Sequence, residues 1–513
     1  MKIKFISLAM ILFLAAFLRL FQLDELPNIL NRDEAALAYN AYLISVTGKD
    51  EWQQTWPLTF KSFGDYKLPG YVYTLALLFK FLPLNDFVVR LPSALAGLLL
   101  VLVAYKFARA VLRVQFSAAV IMSLMVAVLP IFTFYSRIAF EANLALTLLV
   151  ASLYFMLKDK ANDFLAILLL VAAVATYNTP LLLLPFFIPM IIAWRIKKPV
   201  KSYLYLVLAI CALGLLSFLA LQNLQSQKSG ITIFADPTTW AEFAMQREKM
   251  QGIAQKLFAN QYLFYAQIIF ANVINMFKLD FLVRAGGSHP WHSVPFFGHI
   301  FYTVYFLSLA MLIDILGELF FKIREWKRSA IKKEHLLVLY LLFIALAPSV
   351  VTVDSPHATR SLLFFFILVC LATLFVNRLL EVFAKRKDLV LVIVFTLLAV
   401  EASVYHYQYF RDYPNQQPKA TWVEYKELIQ AAETNYPEQQ VAVEDADGYQ
   451  YILTAWYLRV PAADFFSSMC YQNANAINFH YGEALTHYHF IASPNDRSEG
   501  ETIFLSRNSG ILK

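Results

Sequence analysis

The chain has 513 residues, of which 59% are hydrophobic, 16% aromatic and only 15% charged, with a mean hydropathy of +0.55. A soluble domain carries about 25% charged residues, so composition excludes an ordinary soluble protein and points to a chain built from apolar runs of membrane-crossing length. The net charge of +7 does not indicate a nucleic-acid partner. The basic residues cluster in short loops between apolar runs, where the positive-inside rule puts them.

Taken in chain order, MKIK followed by FISLAMILFLAAFL has no small-x-small cleavage site, so it reads as an uncleaved first span. Further apolar runs give eleven candidate spans: 5–21, 91–112, 115–135, 142–158, 163–178, 180–194, 203–221, 296–320, 334–352, 360–377 and 388–404. Alternating their direction from a cytoplasmic N-terminus puts KIK, KFARAVLR, KDK, RIKKPVK, FKIREWKRSAIKK and NRLLEVFAKRKD on one side. The expectation is a multi-pass cell-membrane protein with a cytoplasmic N-terminus and an external C-terminus.

That threading requires 70–84, GYVYTLALLFKFLPL, to lie at the outer interface rather than cross. It is short and carries Lys80 and Pro83. The run 261–283 is treated with the same caution. External segments then fall at 22–90, 222–295 and 405–513. Residues 1–404 form a helical membrane domain. The tail, 405–513, reads as a small α/β domain: helical TWVEYKELIQAAE and GYQYILTAWYL alternate with strand-like QQVAVED, HYHFIAS and TIFLSR. Cys211 and Cys370 lie in apolar runs and only Cys470 in a polar segment, so no disulfide framework is expected.

The spans are nearly free of ionisable groups in their interiors, whereas an ion-coupled pump usually carries a carboxylate deep in a helix. Polar residues gather instead at the outer ends: Asp33 and Glu34, Asp65, Tyr66 and Lys67, Arg90, Arg137 and Glu141, Tyr177 and Asn178, His289 and His292, His357 and Arg360. Such a layer suits an anionic lipid headgroup together with a polar acceptor. Within it, "LPNILNRDEAALAYNAYLIS" begins with a helix-start pattern. Asn31 can N-cap, and Glu34, three residues on, completes a capping box.

The segments "NRDEAALAYNAYLI", "FGDYKLPGYVY", "VVRLPSALAGLLLVLVAY", "FYSRIAFEANLAL" and "GGSHPWHSVPFFG" resemble the polyprenyl-phosphate-sugar-dependent glycosyltransferases of the GT-C fold. The group is that of the protein mannosyltransferases and lipid A aminoarabinose transferases, glycosyltransferase family 39. The likeness covers about residues 1–380. It implies an enzyme that moves a sugar from a polyprenyl monophosphate to an external acceptor hydroxyl or phosphate, with inversion. Asp33 maps to the acidic catalytic residue, which accepts the proton of the attacking hydroxyl.

Lys67 maps to the Lys-Pro position and is expected at the donor phosphate. Arg360, in "SPHATRSLLFFF", opens a span at the depth of that phosphate. Arg137 either pairs with Glu141 one turn on or reaches the phosphate, with Glu141 toward the acceptor. Glu34, about 100° round the helix from Asp33, caps or orients. Tyr66 stacks on a sugar, and Arg90 anchors the second span. His289 and His292 are expected to bind substrate, since two histidines without a clear third ligand do not make a metal centre. No cofactor is assigned, and a divalent metal is the alternative. The partners are the lipid-linked sugar, a lipid, glycan or protein acceptor and membrane lipids, with no nucleic acid. The rival class is a lipid-linked-glycan transporter or a non-catalytic scaffold, which predicts polar residues lining several spans. The spans 91–112, 142–158 and 203–221 show few.

Overall fold

The computed structural model describes residues 2–63, 65–197, 199–220, 230–249, 260–287, 290–324, 331–417, 422–473, 479–496, 503–507 and 509–512. His289, parts of the segment 222–295 and most of the basic loop after Arg324 lie outside the described residues. The chain forms two compact units, one of residues 1–21, 95–136 and 142–413, the other of residues 22–94, 137–141 and 414–513.

The first unit is helical. Among the described residues of the whole chain, seven helices are long and apolar enough to cross a membrane, or eight if a bent pair counts as one. Three further expected spans are the shorter apolar helices Ile6–Leu20, Glu141–Leu157 and Asp163–Val174. Apolar helices thus stand at the positions of the eleven expected spans, but among the described residues only seven or eight pass as spans by length and composition, so the full eleven are not established.

The bent pair, Phe116–Val128 and Pro130–Ser136, turns by 52°, and its cause is chemical. Pro130 has no N–H to return to the Val126 carbonyl. The next donor, Ile131 N–H, goes instead to His299 O at 2.9 Å. Arg19, fully buried in the helix Lys2–Leu20, serves both orphaned carbonyls, donating to Val126 O at 3.0 Å and Ala127 O at 2.9 Å. A buried carbonyl left without such a donor costs about 1–3 kcal/mol.

The second unit is built round the helix Arg32–Thr47. Its capping box forms as the sequence predicts, and the helix ends at Gly48, whose φ of 72° is the left-handed conformation a terminating glycine supplies. Ala35, Ala36, Ala38 and Ala41 are fully buried, so neighbouring segments can approach closely. The short strands β1 (Phe60–Ser62) and β2 (Asp65–Lys67) pair antiparallel. The helix Pro69–Leu78 has ten residues, about 15 Å, half of what a crossing needs.

Among the described residues, the tail contributes six strands: β3 (Val441–Glu444), β4 (Cys470–Tyr471), β5 (Gly482–Leu485), β6 (Tyr488–Ile491), β7 (Ile503–Ser506) and β8 (Gly510–Leu512). They form one sheet in the order β4-β5-β6-β3-β7-β8. The central strand β3 runs parallel to β6 and β7. Its Val441, Ala442 and Val443 are fully buried, as expected of a parallel strand covered on both faces.

Within this unit the loop after the first span and the tail are tied by specific bonds. Tyr39 Oη donates to Val460 O (2.8 Å), Leu30 N–H to Tyr457 Oη (2.9 Å) and Trp456 Nε1–H to Asp86 Oδ1 (2.9 Å). Glu51, 3% exposed, accepts from Asn40 Nδ2 (2.8 Å) and Tyr451 Oη (3.1 Å). Burial pushes its carboxyl up to about 7, against those hydrogen bonds, which oppose the shift.

Candidate active site

Asp33 and Glu34 are adjacent in sequence but enter different surroundings. Asn31 Oδ1 accepts the N–H of Asp33 (2.9 Å) and of Glu34 (3.0 Å), while Glu34 Oε2 accepts Asn31 N–H (3.0 Å). Glu34 is 1% exposed, and its other oxygen accepts Arg90 Nε (3.0 Å) and Ala139 N–H (2.7 Å). Arg90, with no exposed side-chain surface, also donates to Leu23 O, Pro27 O and Ile29 O at 2.8–3.0 Å, and its second bond to Glu34 is 3.4 Å. All five of its N–H donors are thereby used. It is a clamp on the backbone ahead of the helix, a role larger than the span anchor expected. Arg137 performs a similar task, donating to Gln22 O (2.9 Å) and Leu26 O (3.3 Å), and is buried.

The clamp fixes the helix start and leaves Asp33 at its edge, with a third of its side chain exposed. Lys67 Nζ lies 2.7 Å from Asp33 Oδ1 and 3.8 Å from Asp65 Oδ2. The alternation of β2 puts Asp65 and Lys67 on one face and Tyr66 on the other, so Tyr66 is not gathered with them. Burial disfavours the Lys67 charge, but Asp33, Glu141 and Asp65 outweigh it and hold the ammonium above the ordinary lysine range. The expected phosphate ligand thus stands among three carboxylates. Glu141 is buried at the start of its helix.

The tail adds a residue that no local signal marked. The ring of Tyr449 lies under the Arg32 guanidinium at 4.1 Å and packs edge-on against Phe63 and Tyr481. Burial pushes the Tyr449 hydroxyl up to about 12; Arg32 opposes this, and Asp33 is among the charges that add to it. Only the fold brings position 449 to the start of the helix at 32.

Arg360 and His292 belong to the other unit. Arg360 contacts the Asp354 carboxylate and donates to Thr352 Oγ1 (3.0 Å). Thr359 Oγ1 is hydrogen-bonded to Tyr135 Oη (2.9 Å) and to His292 Nε2 (3.3 Å). The rings of His292 and His357 are 4.9 Å apart. Among the described residues, no group of three or more histidine, cysteine or acidic side chains is placed to hold a metal.

The architecture agrees with known proteins. Residues 67–220 match the family model described as dolichyl-phosphate-mannose-protein mannosyltransferase. The Archaeoglobus fulgidus oligosaccharyltransferase, solved in complex with zinc and sulfate, is similar over 88% of this chain and 61% of its own, at 15% identity and a TM-score of 0.50. The same organism's AglB, in complex with an inhibitory peptide and a dolichol-phosphate, gives 88%, 63%, 14% and 0.51. ArnT from Cupriavidus metallidurans in the apo state gives 89%, 84%, 13% and 0.48. The chain thus spans little more than three fifths of the oligosaccharyltransferases it matches. No curated protein matches it significantly by sequence. This is a multi-pass membrane protein of the GT-C fold, extended by a C-terminal sheet domain.

Proposed function

We propose that the chain is an integral membrane glycosyltransferase. It transfers a sugar from a polyprenyl monophosphate to an acceptor hydroxyl or phosphate on the external face, with inversion. The observation that carries this reading is the Asp33–Lys67 pair, partly exposed at 2.7 Å beside a buried, fully bonded frame. The acceptor hydroxyl attacks the anomeric carbon while Asp33 takes its proton, and the bond to the lipid phosphate breaks. Lys67 orients the Asp33 carboxylate through their 2.7 Å contact. Arg360, in the helical unit with His292 near it, is assigned to bind the anionic lipid phosphate. Glu141 holds Lys67 in place, and Glu34, Arg90 and Arg137 fix the geometry without touching substrate.

The family match and the neighbour's bound dolichol-phosphate support a lipid-phosphate donor. The test uses the full-length protein in lipid nanodiscs with polyprenyl-phosphate mannose or aminoarabinose and a panel of peptide, lipid A and glycan acceptors. Wild-type protein should release polyprenyl phosphate and a product of inverted anomer. Asp33→Asn should lower turnover by about 10²–10⁴-fold, the usual worth of a positioned general base. A well-folded Asp33→Asn protein turning over at the wild-type rate would overturn the assignment.

A further inference from the structure

The segment "TVDSPHATR", residues 352–360, closes a small charged cluster in the helical unit. Asp354 bridges two of its members. One carboxylate oxygen, Oδ1, contacts Arg360 Nη1, and the other, Oδ2, lies 3.7 Å from His357 Nε2. His357 in turn packs against His292. One carboxylate therefore faces a guanidinium and one imidazole, with a second imidazole packed behind the first. Its side chain is 31% exposed, against 18% for Arg360 and 12% for His357. The acid is the most exposed of the three.

A carboxylate and a phosphate offer an arginine the same thing, paired anionic oxygens in a plane that the guanidinium fork matches. We propose that Asp354 is a displaceable internal counter-ion. It occupies the phosphate's place on Arg360 when no donor is bound and is exchanged for the phosphate when one binds. The inference rests on the reading of Arg360 as a phosphate ligand. It adds a positioning residue and a consequence for turnover. The donor is a phosphodiester with one negative charge, whereas the product is a phosphomonoester with up to two. The product alone would be held more tightly than the substrate. A carboxylate poised beside the site repels that extra charge, and its return to Arg360 helps expel the lipid phosphate. Asp354 thus weakens binding of both lipids and protects the rate of product release, a step that limits many enzymes.

The test measures binding of undecaprenyl phosphate, and separately of inorganic phosphate, to full-length protein in nanodiscs, alongside turnover. Asp354→Asn should tighten undecaprenyl phosphate about fivefold, the upper range for one partly exposed charge pair. It should lower KM for the donor and lower kcat with it. Asp354→Ser, which also removes the charge, should do the same, and Asp354→Glu should restore wild-type values. Tightening of both ligands means that the phosphate alone is recognised; tightening of the lipid alone means that the isoprenoid chain is needed to seat it. Either outcome supports the exchange. Unchanged or weaker lipid binding in Asp354→Asn and Asp354→Ser proteins of wild-type Tm overturns it. Arg360→Gln separates the two ideas. If it binds the lipid like wild type, the phosphate reading itself fails. If it loses binding while Asp354→Asn gains none, only the counter-ion fails.

Discussion

The cluster at Asp33 and the cluster at Arg360 contain the same kind of pair, an acid against a base, with opposite surroundings. Around Lys67 stand Asp33, Asp65 and Glu141, so acid is in excess and the cation serves a carboxylate. Around Asp354 stand Arg360 and His357, with His292 beside them, so base is in excess and the carboxylate is the odd member. The pair alone does not define chemistry; the third and fourth charges do. An acid-rich cluster suits accepting a proton, and a base-rich one suits holding an anion.

That contrast is broken most directly by neutralising the acid of each pair. Asp33→Asn should cost turnover about 10²–10⁴-fold with Tm unchanged, whereas Asp354→Asn should tighten the lipid phosphate. If both substitutions tighten donor binding alike, the clusters do not differ as described.

The contrast within the first cluster is next in size. Glu34→Ala leaves Arg90 buried without its carboxylate, which costs about 3–5 kcal/mol of stability. It should be read as a fall in Tm and in yield of folded protein before any effect on chemistry. A Glu34→Ala protein of wild-type Tm and low activity would move Glu34 into the chemistry and erase its distinction from Asp33.

A smaller effect sharpens how the loop after the first span and the tail hold together. Burial pushes the folded Glu51 carboxyl up to about 7, while the unfolded chain releases its proton near the ordinary glutamate value of 4.5. The native state therefore binds more protons across that window, and stability falls as pH rises through it, by about 3 kcal/mol for this group. Asp50 and Asp445 are raised as well, so the measurement is the difference between wild type and Glu51→Gln. The variant's melting profile should be flatter between pH 4.5 and 7; parallel profiles would remove Glu51 as the source. The smallest effect is expected at Asp445, which accepts the N–H of Tyr449 (3.0 Å) and Gln450 (2.9 Å). Asp445→Ala should cost about 1–2 kcal/mol and loosen Tyr449. Unchanged thermal unfolding would show those bonds to be replaceable by water.

The sequence by itself determined what depends on neighbours along the chain. Apolar run length marked the helices at the expected positions, although among the described residues only seven or eight pass as membrane spans. The order Asn31…Glu34 marked the capping box, because a cap is satisfied within four residues. Tail alternation marked β3, β6 and β7. What only the tertiary structure decided is where the long side chains go. Arg90 reads as a helix-end anchor until five carbonyl and carboxylate acceptors are folded round it. Lys67 shows no local sign of its pairing with Asp33 and Glu141, which come from distant stretches, although Asp65 stands two residues away. Tyr449 and Asp354 carry no local mark at all. An arginine or lysine reaches across several ångströms and can meet any of many partners. Its partner is fixed by which segments pack together, not by its neighbours in sequence.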